Sequence, residues 1–155
     1  MNMKWVGVVC CASVLLFLSA KNSFAAFSMN ISSVSADSVS SNEQEVAVTA
    51  SISGLPNPSY FRVAWQKSSG DTYFGYVKNN TGDWVKIYSD QDCKNYYSVP
   101  DIATTSLTLQ TKIGDDNNPE NGSYSLKIRR YTSSCASYSD SAAFAVSINL
   151  PTPTP

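Results

Sequence analysis

The chain has 155 residues, 12% of them aromatic, with 11 basic residues against 12 acidic ones. A net charge of −1 argues against nucleic-acid binding, which demands a strongly basic face. The chain contains no histidine, which removes the commonest general base, most catalytic triads and most zinc sites.

The first residues have the pattern of an export signal. Lys4 precedes an apolar run of 16 residues, WVGVVCCASVLLFLSA, and the small residues that a signal peptidase reads end at Ala25. A retained membrane anchor is the alternative, but a spanning helix needs ~20 apolar residues and Lys21 ends the run early. We therefore predict a signal peptide over residues 1–25, and a secreted or cell-surface protein without a membrane span after cleavage.

Two cysteines, Cys93 and Cys135, remain after the predicted cleavage. In an exported protein the simplest arrangement is one disulfide between them, which the chain-entropy argument values at roughly 4 kcal/mol. Two free thiols, or a bridge to another chain, are the alternatives.

Short runs that alternate apolar and polar residues follow one another along the mature chain. They include EVAVTASI, SLTLQTKI, YSLKIRRY and AFAVSINL, and the stretches YFRVAWQK, TYFGYVKN and WVKIYS join them through turns that contain Gly and Asp. With a first strand near residues 29–34, the pattern predicts an all-β fold, a two-sheet antiparallel sandwich of about eight strands.

The segment ENGSYSLKI, Glu120 to Ile128, resembles the E–F corner and F strand of immunoglobulin-like and fibronectin type III-like domains. The resemblance implies that the Tyr124 hydroxyl binds nearby backbone and that Trp65 is the core tryptophan of the third strand. The chain lacks the cysteine pair of antibody domains, so the likeness is to the wider class of bacterial secreted and surface modules. It implies an immunoglobulin-like domain over residues 26–150.

The chain then ends in alternating Pro and Thr over residues 151–155. Such a run favours extended polyproline geometry and acts as a semi-rigid spacer. We interpret it as a linker or tail, with other domains of the same polypeptide among the expected partners.

Aromatic residues are concentrated between residues 60 and 97. Alternation predicts that Phe61 and Trp65 face inward, whereas TYFGYVKN carries aromatic residues on both of its faces. If the face that contains Gly75 is buried, the outer face of the sheet carries seven candidate binding residues: Tyr60, Arg62, Phe74, Tyr76, Trp84, Lys86 and Tyr88.

Such a face can stack on sugar rings or contact a protein. The structural alternative is cross-strand aromatic packing. A further alternative is that the loop over residues 89–104 covers the face.

The loop GDDNNPENG concentrates acids and asparagines. Its candidate calcium ligands are Asp115, Asp116 and Glu120, although polar turns have the same composition. A carboxylate pair for glycoside hydrolysis is conceivable, but nearly all acids lie in predicted turns. We therefore predict no enzyme activity and no cofactor, with calcium as the alternative.

These observations predict a non-catalytic extracellular module that serves in adhesion, in protein interaction or as a spacer. A carbohydrate-binding module with an exposed aromatic sheet face is the alternative function. The expected partners are proteins or glycans on a cell surface.

Overall fold

The computed structural model describes residues 26–68, 70 and 72–151. These residues form twelve strands and one 3-10 turn, Cys93–Asn95. In chain order the strands are β1 Ser28–Val34, β2 Ser38–Val39, β3 Val46–Ser53, β4 Ser59–Lys67, β5 Tyr73–Phe74, β6 Tyr76–Lys78, β7 Trp84–Lys86, β8 Tyr97–Val99, β9 Ser106–Lys112, β10 Gly122–Thr132, β11 Tyr138–Asp140 and β12 Phe144–Ile148.

The signal peptide predicted over residues 1–25 and residues 152–155 of the predicted tail lie outside the described residues. Within the described ranges, no helix has the length and apolar character needed to cross a membrane.

The strands form two sheets. The five-stranded sheet has the order β1-β3-β9-β6-β7, and all its pairings are antiparallel. The seven-stranded sheet has the order β2-β12-β10-β4-β5, with β11 beside β10 and β8 beside β4. Only β2 and β12 pair in parallel among the described strands of this sheet. The predicted all-β fold with two sheets is confirmed.

The predicted period of two is present in the strands that build the core. In β3, Val46, Val48, Ala50 and Ile52 are all buried, while the residues between them are partly or fully exposed. In β10, Tyr124, Leu126 and Ile128 are buried, while Ser125 and Lys127 are partly exposed. Because successive side chains of a strand point to opposite faces, each sheet contributes one face to a shared apolar core.

The segment TYFGYVKN does not form the single strand that its composition suggests. It divides at Gly75: β5 pairs with β4 in the seven-stranded sheet, whereas β6 pairs with β7 and β9 in the five-stranded sheet. Gly75 has a φ of +100°, which L side chains rarely adopt, and it lies against the indole of Trp65. The chain therefore changes sheets at this glycine.

The twelve strands differ from the predicted count of about eight. Three short segments account for most of the difference: β2, β8 and the separate β5 add strands that alternation over two or three residues does not reveal. β8 lies within the stretch predicted as a long loop and pairs with Ser59–Phe61 of β4.

A disulfide joins Cys93 to Cys135, as predicted, and their Cα atoms lie 5.9 Å apart. Cys93 begins the 3-10 turn and is buried, and Cys135 lies in the turn between β10 and β11. The bridge therefore attaches the long connection after β7 to the β10–β11 hairpin.

The start of β10 is held by Tyr124. Its hydroxyl donates a hydrogen bond to the backbone carbonyl of Glu120 at 2.9 Å, the kind of contact that the resemblance implies. Trp65 is fully buried, and its Nε1 donates to Thr111 Oγ1 at 3.1 Å.

Candidate functional site

The seven predicted binding residues do not share one face, because the chain changes sheets at Gly75. Tyr60 and Arg62 lie on β4 in the seven-stranded sheet, whereas Tyr76, Trp84 and Lys86 lie in the five-stranded sheet. Phe74 packs edge-on against Tyr124, with ring centroids 5.8 Å apart, and joins the periphery of the core. Tyr88 follows β7 and is 50% exposed. Two separate outer faces therefore replace the single predicted one.

On the outer face of the five-stranded sheet, Trp84 is covered by lysine side chains. The Lys78 Nζ lies 5.0 Å from the Trp84 ring centroid, and the Lys112 Nζ lies 4.9 Å from it. These cation–π contacts occupy the aromatic surface that a sugar ring would need.

The charges on this face are paired with one another. Lys86 binds Asp116, Lys112 binds Glu43, and Lys78 lies 3.6 Å from Glu45. The hydrogen bond from Lys86 lowers the pKa of Asp116 most, followed by the hydrogen bond from the Tyr76 hydroxyl. The charged side chains of this face therefore neutralise one another and leave little unpaired charge for a charged ligand to bind.

The outer face of the seven-stranded sheet contains a cavity of about 530 Å³. Its lining includes Arg62 and Arg129 together with the tyrosines at positions 73, 88 and 131. Residues 87–89, which follow β7, and Thr72 complete the lining, and none of the described lining residues is acidic. Of the predicted binding residues, Arg62 and Tyr88 are thus brought together here.

Arg62 is the most buried charge in this cavity, with 5% of its surface exposed. Its guanidinium carbon lies 5.4 Å from the ring centroid of Tyr73, and 5.9 Å from those of both Tyr96 and Tyr131. Its Nε is buried without a hydrogen-bond partner, and no carboxylate of the described residues forms an ion pair with it. Three aromatic rings therefore surround a cation that lacks a counterion among the described residues.

Arg129 lies directly opposite Arg62 in the β4–β10 register. It has a partner, because its Nε and Nη2 donate to the two carboxylate oxygens of Asp140 at 2.6 and 2.8 Å. The hydrogen bonds that Arg129 donates to Asp140 are the main reason that the pKa of Arg129 rises above its usual value. Like charges placed opposite each other destabilise a sheet, and Asp140 neutralises Arg129 but forms no ion pair with Arg62.

The loop over residues 89–104, which was the alternative cover for the aromatic face, reaches this site. It contributes Tyr96, which is 3% exposed and stacks on Tyr131 with centroids 5.9 Å apart. Burial raises the pKa of Tyr96 to about 12, so the phenol is neutral at physiological pH. Cys93 lies just before Tyr96 in sequence, so the Cys93–Cys135 disulfide holds Tyr96 close to the β10–β11 hairpin.

The three candidate calcium ligands are not gathered into one site. Asp116 binds Lys86 and Tyr76 on the five-stranded sheet, whereas Glu120 accepts a hydrogen bond from Lys67 at 2.7 Å. Asp115 is exposed in a turn, directly before Asp116. In the described ranges, the one grouping of potential metal ligands is Asp92 with the two cysteines of the disulfide, whose sulfurs are bonded to each other.

The residues that complete the cavity escaped the sequence analysis for two reasons. Alternation in YSLKIRRY does place Arg129 and Lys127 on the outer face of a strand, but the register that brings Arg129 opposite Arg62 depends on long-range pairing. Tyr96 and Tyr131 meet only because the disulfide loop folds over the sheet.

Comparisons with protein-family models and with curated protein sequences find no match to this chain.

Proposed function

We propose that this protein is a non-catalytic extracellular adhesion module with an immunoglobulin-like β-sandwich, which binds glycans in the Arg62 cavity. The observation that carries the proposal is a buried arginine that lines a cavity of about 530 Å³ and contacts three tyrosine rings. Clefts of ~300–1,000 Å³ with aromatic walls and a few placed polar groups are typical of small-ligand sites.

The immunoglobulin-like assignment is supported by two packed sheets and by the hydrogen bond from Tyr124 to Glu120. The extracellular assignment is supported by the disulfide, since such bonds persist in oxidising compartments, and by the signal pattern of residues 1–25.

The concave shape of this cavity supports glycan recognition, and it differs from the flat aromatic face expected from the sequence. Tyrosine rings offer faces on which sugar C–H groups pack, and Thr72 and Ser89 place hydroxyl groups on the cavity wall. The outer face of the five-stranded sheet lacks this combination, because lysines cover Trp84 there.

The test is a glycan-array screen of the purified protein beside two matched variants. Arg62→Gln removes the cation of the cavity, while Lys86→Gln removes a cation from the opposite sheet. We expect the native protein and Lys86→Gln to retain the same glycans and Arg62→Gln to lose them. A cooperatively folded native sample that retains no glycan contradicts the proposal.

A further inference from the structure

We propose that the Arg62 cavity recognises the carboxylate of an acidic sugar residue, such as a uronic acid or a sialic acid. The inference rests on the proposed glycan-binding function and specifies which chemical class of glycan is bound.

The first support is the electrostatic state of Arg62. A buried charge is costly unless it is paired and hydrogen-bonded, and Arg62 Nε has no hydrogen-bond partner among the residues that the structure describes. The contacts with Tyr73, Tyr96 and Tyr131 stabilise the cation, but an aromatic ring supplies no counterion. An anionic group in the cavity supplies the missing charge.

The second support is a comparison with two neighbouring arginines. Arg129 makes a bidentate pair with Asp140. Arg130, buried on the inner face of the same strand, donates from Nε to Ser59 at 2.9 Å and from Nη2 to Asn57 at 2.7 Å. Among the described residues, Arg62 forms no ion pair, and of these three arginines it is the one whose buried Nε lacks a hydrogen-bond partner.

The third support is the concentration of positive charge around one ring. Arg62, Arg129 and Lys127 all place a cationic group within 6.0 Å of the Tyr73 ring centroid. Asp140 neutralises one of them, so the cavity keeps an excess of positive charge over the described residues. An anionic occupant is therefore complementary to it.

The shape of these groups favours a carboxylate attached to a ring. The planar guanidinium fork matches a carboxylate through two parallel hydrogen bonds. Tyr88, half exposed at the rim, offers a ring face to the sugar, and Ser89 beside it offers a hydroxyl group. A free inorganic anion would use the guanidinium but not these walls.

The experiment is isothermal titration calorimetry of the purified native protein at low and moderate salt. The probes are sialyllactose, a glucuronic-acid disaccharide and the methyl ester of each sugar, with sodium sulfate and sodium acetate as simple anions. We expect each acid to bind at least tenfold more tightly than its ester, with an affinity that falls as salt increases. This comparison needs no variant, so a folding defect cannot obscure it.

Variants then assign the preference to Arg62. Arg62→Gln is expected to reduce the difference between acid and ester to less than twofold, Arg62→Lys to retain part of it, and Lys86→Gln to leave it unchanged. Tyr88→Ala, a change at the exposed rim, is expected to weaken acid and ester alike by removing the stacking face.

Each other outcome overturns the inference in a distinguishable way. Equal binding of acid and ester would leave glycan binding intact but refute carboxylate recognition. Binding of sulfate and acetate without binding of any saccharide would show a general anion site and refute recognition of an acidic sugar. No binding of any probe, together with an empty glycan array, would overturn the proposed function as well.

Discussion

The indole of Trp65 packs directly against Gly75, so that a Cβ atom at residue 75 would lie 2.6 Å from Trp65 Cδ1 and 2.9 Å from the Lys112 carbonyl oxygen. The same glycine is where the chain passes from the seven-stranded to the five-stranded sheet. The contact between Gly75 and Trp65 therefore determines how the core packs around Trp65. It also lies where the chain changes sheets, which separates the two outer faces.

We expect Gly75→Ala to destabilise the protein by about 2–4 kcal/mol. The change combines an unfavourable φ of +100° with overpacking against Trp65. Urea denaturation followed by tryptophan fluorescence measures the loss. Gly70→Ala is the control, because a Cβ there meets nothing within 4 Å, and its midpoint should stay close to that of the native protein. Equal midpoints for the two variants would contradict the packing described here.

Thr111 links two buried groups, since it accepts from Trp65 Nε1 at 3.1 Å and donates to the Tyr76 carbonyl at 2.8 Å. Thr111→Val keeps the shape but leaves both groups without this partner, so we expect a loss of about 1–3 kcal/mol. Thr108→Val on the exposed face of the same strand is the control. The idea fails if denaturation shows the two variants to be equally stable.

Tyr124→Phe removes the hydroxyl that donates to the Glu120 carbonyl. We expect a loss of about 0.5–1.5 kcal/mol in the free energy of unfolding, the usual value of one net hydrogen bond. Tyr138→Phe, at a ring that is 58% exposed, should change the stability by much less. Thermal and urea denaturation of both variants provide the measurement, and an unchanged Tyr124→Phe protein would argue against a structural role for the corner.

Removing the disulfide by Cys93→Ala with Cys135→Ala should lower the stability by about 2–5 kcal/mol, because the bridge restricts the unfolded chain. The double variant should also bind glycan more weakly in the proposed cavity, since Tyr96 follows Cys93 in the chain and its ring centroid lies 5.9 Å from the Arg62 guanidinium carbon. Reductant should affect the native protein and leave the variant unchanged. A native protein that is insensitive to reductant while mass spectrometry shows free thiols would refute this role.

The raised pKa of Tyr96 leads us to expect that the protein becomes less stable at alkaline pH. Its pKa rises from 10.0 to about 12 on folding, chiefly through burial, so the folded state holds the phenolic proton more tightly than the unfolded state. This contribution is complete below pH 10 and is lost as the pH increases through about 12. Urea midpoints across this range should fall less steeply for Tyr96→Phe than for the native protein. Identical slopes would show that other groups cause the fall.

The sequence allowed the fold to be predicted wherever a strand is long enough to show its period. In β3 and β10 the alternation identified the buried residues, and the two cysteines of the predicted mature chain indicated the bridge. The segment around Gly75 could not be interpreted in this way. Both of its faces carry aromatic residues, and its division between two sheets depends on Trp65, ten positions earlier in the chain.

The site was predictable only in part, for a related reason. Arg62 and Tyr88 were identified as candidates from the density of aromatic residues around them. Arg129, Tyr131 and Tyr96 come from distant segments, and they meet Arg62 through strand register and through the disulfide. A single sequence carries little information on strand register or on the path of a loop that a disulfide holds in place.

The position of the disulfide also affects how the protein responds to mechanical tension. The covalent loop between Cys93 and Cys135 spans 42 positions. It contains β9, the middle strand of the five-stranded sheet, and the whole of β10, at the centre of the other sheet. When the chain is stretched from Phe27 and Pro151, the disulfide prevents Cys93 and Cys135 from moving apart. The extended length of the unfolded polypeptide is therefore shorter by roughly 150 Å than it would be without the bridge. Even after both sheets separate under load, one central strand of each remains within the same closed loop.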